Sequence, residues 1–295
     1  MIYQTPDAYL AAPRKAVALF GMSGVGKTRT AAMLRAEGGW FHYSVDYRIG
    51  TRYMGERIVD NFKREAMRNP FLRDLLRSDS IYIASNITFE NLAPLSTYLG
   101  KPGDPARGGI PFAEYVTRQR EHRDAEIAAL RDTAAFLEKA RDIYGYAHFL
   151  ADTGGSICEV VDPHDPEDPV LRVLAERMLL VQIRGDEALE EELVRRFRRD
   201  PKPMYYPEGV LVELWDEYLA LHRCDEAAVD PDDFTAWGFR RLLNHRLPRY
   251  DAIARHWGIT VTADEISAVT DPQDFDALIA DTLSRHYARA AAEAG

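Results

Sequence analysis

The chain has 295 residues, 46% of them hydrophobic and 28% charged, the balance of a globular enzyme able to bury a sizeable core. Its 37 Lys and Arg against 47 Asp and Glu leave a net charge of −10, a poor general surface for nucleic acid or an anionic membrane. The cysteines are Cys158 and Cys224, with no C-x-x-C pair; this argues against a disulfide framework and a cysteine zinc site, and fits a reducing cytoplasm.

Met1–Lys15 lacks a charged region followed by an apolar core, so no signal peptide is expected, and no run reaches the roughly 18 apolar residues of a membrane span. The apolar run Ala16–Phe20 predicts a strand. It enters Gly21-Met22-Ser23-Gly24-Val25-Gly26-Lys27-Thr28, a G-x-x-x-x-G-K-[ST] motif, and the helix-forming run Arg29–Arg35 leaves it. Strand, glycine loop and helix in that order make a phosphate cradle. Backbone N–H groups and the positive end of the helix face a polyphosphate, Lys27 reaches the β/γ-phosphates, and the Thr28 hydroxyl sits on Mg²⁺. Gly21, Ser23, Gly24, Val25, Gly26, Lys27, Thr28 and Arg29 are therefore the expected nucleotide contacts.

Trp40–Val45 reads as a second strand ending at Asp46, with Arg48 and Arg52 just beyond. Ligands of open parallel sheets bind at the C-terminal strand ends. Asp46 there can hold Mg²⁺ or take a proton from an acceptor hydroxyl, and the two arginines can fork onto a carboxylate or phosphate. Gly50–Arg68 reads as helix, stopped by Asn69-Pro70, followed by helical pieces to Gly100 and a loop over Lys101–Gly109. Pro111–Arg141 is a long charged helix with apolar residues at three- and four-residue steps. Ala147–Ala151 is a buried-type strand ending in Asp152-Thr153-Gly154-Gly155-Ser156. There Asp152 is a second expected Mg²⁺ ligand, and the glycines let backbone approach a substrate.

After the acidic turn Pro163–Pro169 come a strand, Met178–Ile183, and a helix, Asp186–Arg199. Arg195, Arg196, Arg198, Arg199 and Lys202 crowd its end before the proline-bounded loop Asp200–Pro207. Such a segment is suited to fold over a transferring phosphoryl group, and Arg199 stands for it among the expected catalytic residues with Lys27 and Asp46. Helices are predicted over Trp215–His222 and Phe234–His256, a last strand at Ile259–Val261 and a terminal helix at Asp274–Ala294. The eight histidines show no H-E-x-x-H or H-x₃-H spacing and are expected to be packed or on the surface.

Strands alternating with helices imply α/β architecture: a parallel five-stranded sheet with helices on both faces. The stretch 56–145 is too long for a crossover. The expected organisation is a core of 1–55 and 146–295 with a helical insert over 56–145, an acceptor-binding or lid region.

GMSGVGKT, then VDYR, DTGGS and LVQIRGDEALEEELVRRFRRDPKP in order resemble the P-loop small-molecule kinases of the shikimate kinase, gluconate kinase and nucleoside monophosphate kinase superfamily. The late segment LLNHRLPRYDAIARHWGITVTADEIS is similar to that family's R-x-P-x-Y-like helix leading to a strand. The resemblance implies the P-loop NTPase fold, ATP with Mg²⁺, and transfer of the γ-phosphoryl group to a small-molecule acceptor. It implies acceptor contacts at Gly154 and Gly155 beside Arg48 and Arg52, and nucleotide contacts from Arg246 and the loop after Val261. It covers roughly 15–52 and 147–283 and leaves the insert unmatched. It also departs from the shikimate kinases, which carry a D-x-D-like pair where Arg48 takes the second acidic position. A second copy of the chain is a further expected partner.

Two other readings of the same motifs compete. One is an ATPase or nucleotide-dependent regulator whose insert binds another protein. The other, carried by SVDYRIGTR, resembles the tRNA dimethylallyltransferases, against which the charge of −10 weighs.

Overall fold

Ala16–Phe20 (β1) is apolar at every position because it is the central strand, covered on both faces: its five residues are 0–9% exposed. In the computed structural model, which describes residues 1–294, four further parallel strands flank it. They are Trp40–Ser44 (β2), His148–Asp152 (β3), Leu179–Arg184 (β4) and Gly258–Thr262 (β5). The sheet order is β2-β3-β1-β4-β5. All five predicted strands are present, β1 over the predicted residues and the others with ends shifted by at most one residue. Right-handed crossovers place the helices on both faces, since the connection from β1 to β2 runs opposite to the other three.

Register brings the chemistry-bearing strand ends level. β3 pairs Asp152 with Leu19 of β1 on one side and with Ser44 of β2 on the other. The glycine loop leaves β1 one residue later, and Asp46 follows β2 by two. The helix Lys27–Ala36 begins inside the phosphate-loop motif itself, earlier than Arg29, because Gly26 adopts the left-handed conformation from which it starts.

The chain divides into two compact units: Met1–Val45, Leu130–Arg199 and Arg240–Gly295 form the first, Asp46–Ala129 and Asp200–Phe239 the second. This redraws the division expected from sequence. The stretches 46–55 and 200–239, assigned there to the core, belong with the insert, and 130–145, assigned to the insert, belongs with the core. The reason is long-range packing that local pattern does not record. In the second unit Phe112 stacks on Trp215 with ring centroids 4.5 Å apart, and Phe234 closes on Trp215 edge-on at 5.0 Å. The side chain of Gln119 accepts from the Tyr206 N–H at 2.9 Å, and the Tyr115 hydroxyl donates to the Met204 carbonyl at 2.8 Å. The proline-bounded loop is thereby anchored at its far end, with Tyr205 and Tyr206 buried.

Helix boundaries differ where burial overrides pattern. Glu208–His222 starts seven residues before the predicted Trp215, and Pro231–Trp257 runs through Pro248. Gly50 does not open an α-helix: Ile49–Tyr53 is a wider π-helical turn, closed by the Met54 N–H on the Ile49 carbonyl at 2.8 Å, and the α-helix begins at Gly55. Short helices at Pro6–Leu10, Ile157–Val160, Pro169–Ala175 and Ala263–Ser267 were not predicted. Among the described residues no helix is long and apolar enough to cross a membrane.

Candidate functional site

Three glycines give the loop after β1 its shape. Gly21, Gly24 and Gly26 have φ of 135°, 89° and 106°, which side chains rarely adopt. At Gly21 there is also no room: a Cβ there would lie 2.5 Å from the Ile183 carbonyl oxygen at the end of β4. Lys27 is buried, and its Nζ donates to the carbonyls of Gly21 at 2.7 Å and Met22 at 2.9 Å. The cation is thus tied to the backbone of the loop that precedes it.

The next two residues point to separate tasks. The Thr28 hydroxyl donates to Asp152 Oδ2 at 2.8 Å, joining the loop to the end of β3. Arg29 is exposed and donates to the Ser267 carbonyl at 3.0 Å, along a cleft of about 770 Å³. That cleft is walled by Gly24–Gly26 on one side, by Asp186 to Glu190 on another, and by Thr262–Asp264 after β5, where the sequence expected nucleotide contacts. Thr262 and Glu265 form a reciprocal cap: the Thr262 hydroxyl accepts from the Glu265 N–H, and the Glu265 carboxylate accepts from the Thr262 N–H at 2.8 Å. Burial, and then Glu187 close by, raise the Glu190 carboxyl above its ordinary pKa.

The chain has an α/β fold, a five-stranded parallel sheet with a glycine loop after its central strand. No protein-family model matches it, and no curated protein matches it. Among solved structures it is similar to shikimate kinase from Bacteroides thetaiotaomicron at 15% identity, over 92% of this chain and 94% of that one, with a TM-score of 0.37.

Asp152 closes the second turn. Its Oδ1 accepts from the Gly154 N–H at 3.2 Å, and the Thr153 hydroxyl returns to the Leu19 carbonyl of β1 at 3.1 Å. Gly155 then comes against the phosphate loop: a Cβ at that position would stand 3.5 Å from the Ser23 nitrogen. The two glycine turns are therefore packed backbone to backbone.

Arg246 has a different place from the nucleotide contact expected of it. It is 7% exposed, with Nε donating to Glu159 at 2.9 Å and a terminal nitrogen donating to the Gly155 carbonyl at 3.0 Å. It braces the second turn from behind and does not line the cleft beside Thr262. The Tyr250 hydroxyl donates to the same Gly155 carbonyl, and Arg249 holds the Cys158 and Val161 carbonyls at 2.6 and 2.9 Å. Glu159, with a side chain only 1% exposed, also meets His245 at 3.1 Å. Burial pushes the Cys158 thiol up to about 12, so it is an inert core group. Sequence reasoning missed Glu159 and the bracing role of this cluster. The signal was there in His245, Arg246, Arg249 and Tyr250, spaced to share one helical face.

The arginine-rich helix, Glu187–Arg199, meets the phosphate loop through Leu193, whose Cδ2 would lie 2.9 Å from a Cβ on Gly24. Three residues on, Arg196 shares that face. By the 100° advance per residue, Arg196 lies ~60° and Arg199, the residue expected from sequence, ~120° round the helix from Leu193, and both are exposed.

Asp46, Arg48 and Arg52 open the second unit. Asp46 and Arg48 are half-buried, the Arg48 guanidinium lying 5.6 Å from the Tyr53 ring centroid, and Arg52 is exposed on the π-helical turn. Among the described residues no group of three or more His, Cys, Asp and Glu side chains forms a metal-holding cluster. Thr28 with Asp152 is a donor set for a hard cation that keeps water and phosphate oxygens in its shell, so the residues present fit Mg²⁺. His122 is packed, as expected for the histidines: it is 4% exposed and stacks on Tyr205 at 4.9 Å.

Proposed function

We propose that this protein is a small-molecule kinase, binding ATP with Mg²⁺ and passing the γ-phosphoryl group to an acceptor hydroxyl. The observation that carries the reading is the Thr28–Asp152 hydrogen bond of 2.8 Å beside the buried Lys27, on a loop shaped by three glycines at positive φ. Loop amides and the start of the helix Lys27–Ala36 receive the phosphates, and Lys27 exchanges its two loop carbonyls for phosphate oxygens. Thr28 and Asp152 hold Mg²⁺, whose chemistry is to neutralise charge on the phosphate oxygens. The wall Thr262–Asp264 faces the nucleoside.

Arg196 is assigned to the charge that builds on the transferring group. Asp46 is assigned to the acceptor, orienting its hydroxyl and accepting its proton, with Arg48 and Arg52 for an anionic group on it. Backbone of Gly154 and Gly155 completes acceptor contact.

The test is ATP consumption against a metabolite panel, with wild type and Lys27→Ala compared after both are shown folded by circular dichroism. Loss of one positioned charge-stabilising group is expected to cost on the order of 10²–10³ in turnover. Full acceptor-dependent phosphorylation by Lys27→Ala would overturn the reading. Hydrolysis that ignores every acceptor would favour the ATPase.

A further inference from the structure

A second cleft lies on the first unit, of about 450 Å³, between the helices Pro231–Trp257 and Pro272–Ala294 over the β4–β5 edge of the sheet. Its floor is polar and fixed. Gln182, 3% exposed, donates from Nε2 to Asp251 at 2.8 Å and accepts from the Thr260 hydroxyl at 2.8 Å. Its rim is cationic: Arg184, Arg255, Arg285 and Arg289, with His286 among them. In a chain of net charge −10 this is a local reversal of sign, and Asp251 is the one carboxylate in the lining.

These cations differ in how far they are already used. Arg184 is 3.3 Å from Asp251, and Arg285 is held by Glu265 at 2.8 Å and Asp281 at 3.0 Å. Arg255 and Arg289 make no hydrogen bond or ion pair among the described residues, and both are exposed. Burial, then nearby positive charge including Arg289, holds the His286 imidazole below its ordinary pKa. An anion between the two guanidiniums would relieve that repulsion and reach a planar fork from each side. The volume of about 450 Å³ suits a small molecule.

We propose that this cleft binds a phosphate-bearing small molecule, gripped by Arg255 and Arg289 at a site separate from the phosphate loop. It contains no residue of Gly21–Thr28; Arg184 borders both clefts. The proposal does not depend on the kinase reading.

The probe is pyrophosphate, titrated calorimetrically into the full chain. Four variants are compared with wild type: Arg255→Gln/Arg289→Gln, Arg255→Lys/Arg289→Lys, Lys27→Ala, and a charge-matched control, Arg14→Gln/Arg177→Gln, on exposed arginines elsewhere. The expected result is a binding component weakened at least tenfold in Arg255→Gln/Arg289→Gln and kept in Lys27→Ala and in the control. Arg255→Lys/Arg289→Lys should restore part of it, which separates lost charge from lost folding. The proposal is overturned if no component responds to Arg255 and Arg289, if the only component disappears with Lys27, or if the control weakens binding equally.

Discussion

Two glycine turns meet in the first unit, and they are held in opposite ways. The loop Gly21–Thr28 carries its own instructions: three glycines at positive φ, and a lysine that bonds carbonyls five and six residues before it. The turn Asp152–Ser156 takes its shape from far away, its Gly155 carbonyl held by Arg246 and Tyr250, 91 and 95 residues later. Backbone conformation can be written locally in glycine and lysine. A buried carbonyl with no local donor must be satisfied by whatever the fold brings to it.

The contrast is most severely tested at Arg246. Arg246→Ala leaves the Glu159 carboxylate buried with its main partner gone, which is expected to cost about 3–5 kcal/mol in urea unfolding. Arg246→Met/Glu159→Leu, which removes both charges, should recover a substantial part of that loss. If Arg246→Ala unfolds like wild type, the second turn is as self-sufficient as the first and the contrast fails. Next comes Gly21→Ala. It forces a methyl against the Ile183 carbonyl at a φ unsuited to alanine, with an expected loss of about 1–3 kcal/mol and weakened ATP binding. Unchanged thermal stability and affinity would show that the first loop does not depend on its own glycine code.

Smaller still is Tyr250→Phe. The Gly155 carbonyl keeps its bond from Arg246, so removing one hydroxyl should cost roughly 0.5–1.5 kcal/mol. A cost matching Arg246→Ala would mean that the tyrosine, not the arginine, sets the turn. The smallest effect belongs to the cleft wall. Burial alone would raise the Glu265 carboxyl, but the Thr262 N–H and hydroxyl and the Arg285 guanidinium hold it below the usual range. A depressed folded-state pKa stabilises above the unfolded value of about 4.3 and is lost as pH falls through the folded one. Glu265→Gln should therefore lower the melting temperature at neutral pH, by the roughly 1 kcal/mol of a helix cap, and remove that part of the acid dependence. Parallel pH profiles for both proteins would disprove it.

The glycine loop and the five strands are legible in the sequence. The phosphate loop, Thr28 and Asp152 were picked out by motif and by the apolar runs ahead of them. The cleft wall after Val261 was expected from family resemblance. What could not be read was partnership. Arg246 has the same one-letter identity whether it faces a nucleotide or braces a carbonyl, and only its burial against Glu159 decides.

The sequence by itself determined the five parallel strands, the conformation of the glycine loop and the acids at the strand ends. Each of these follows from residues a few positions apart: continuous apolar runs that must be buried on both faces, or glycines that alone tolerate positive φ. Only the tertiary structure decided that 200–239 joins 46–129, that Thr28 meets Asp152, and that Arg246 and Tyr250 serve Gly155. Those outcomes depend on which distant groups must share a dry interior, where a buried polar atom is costly until its partner arrives from elsewhere in the chain.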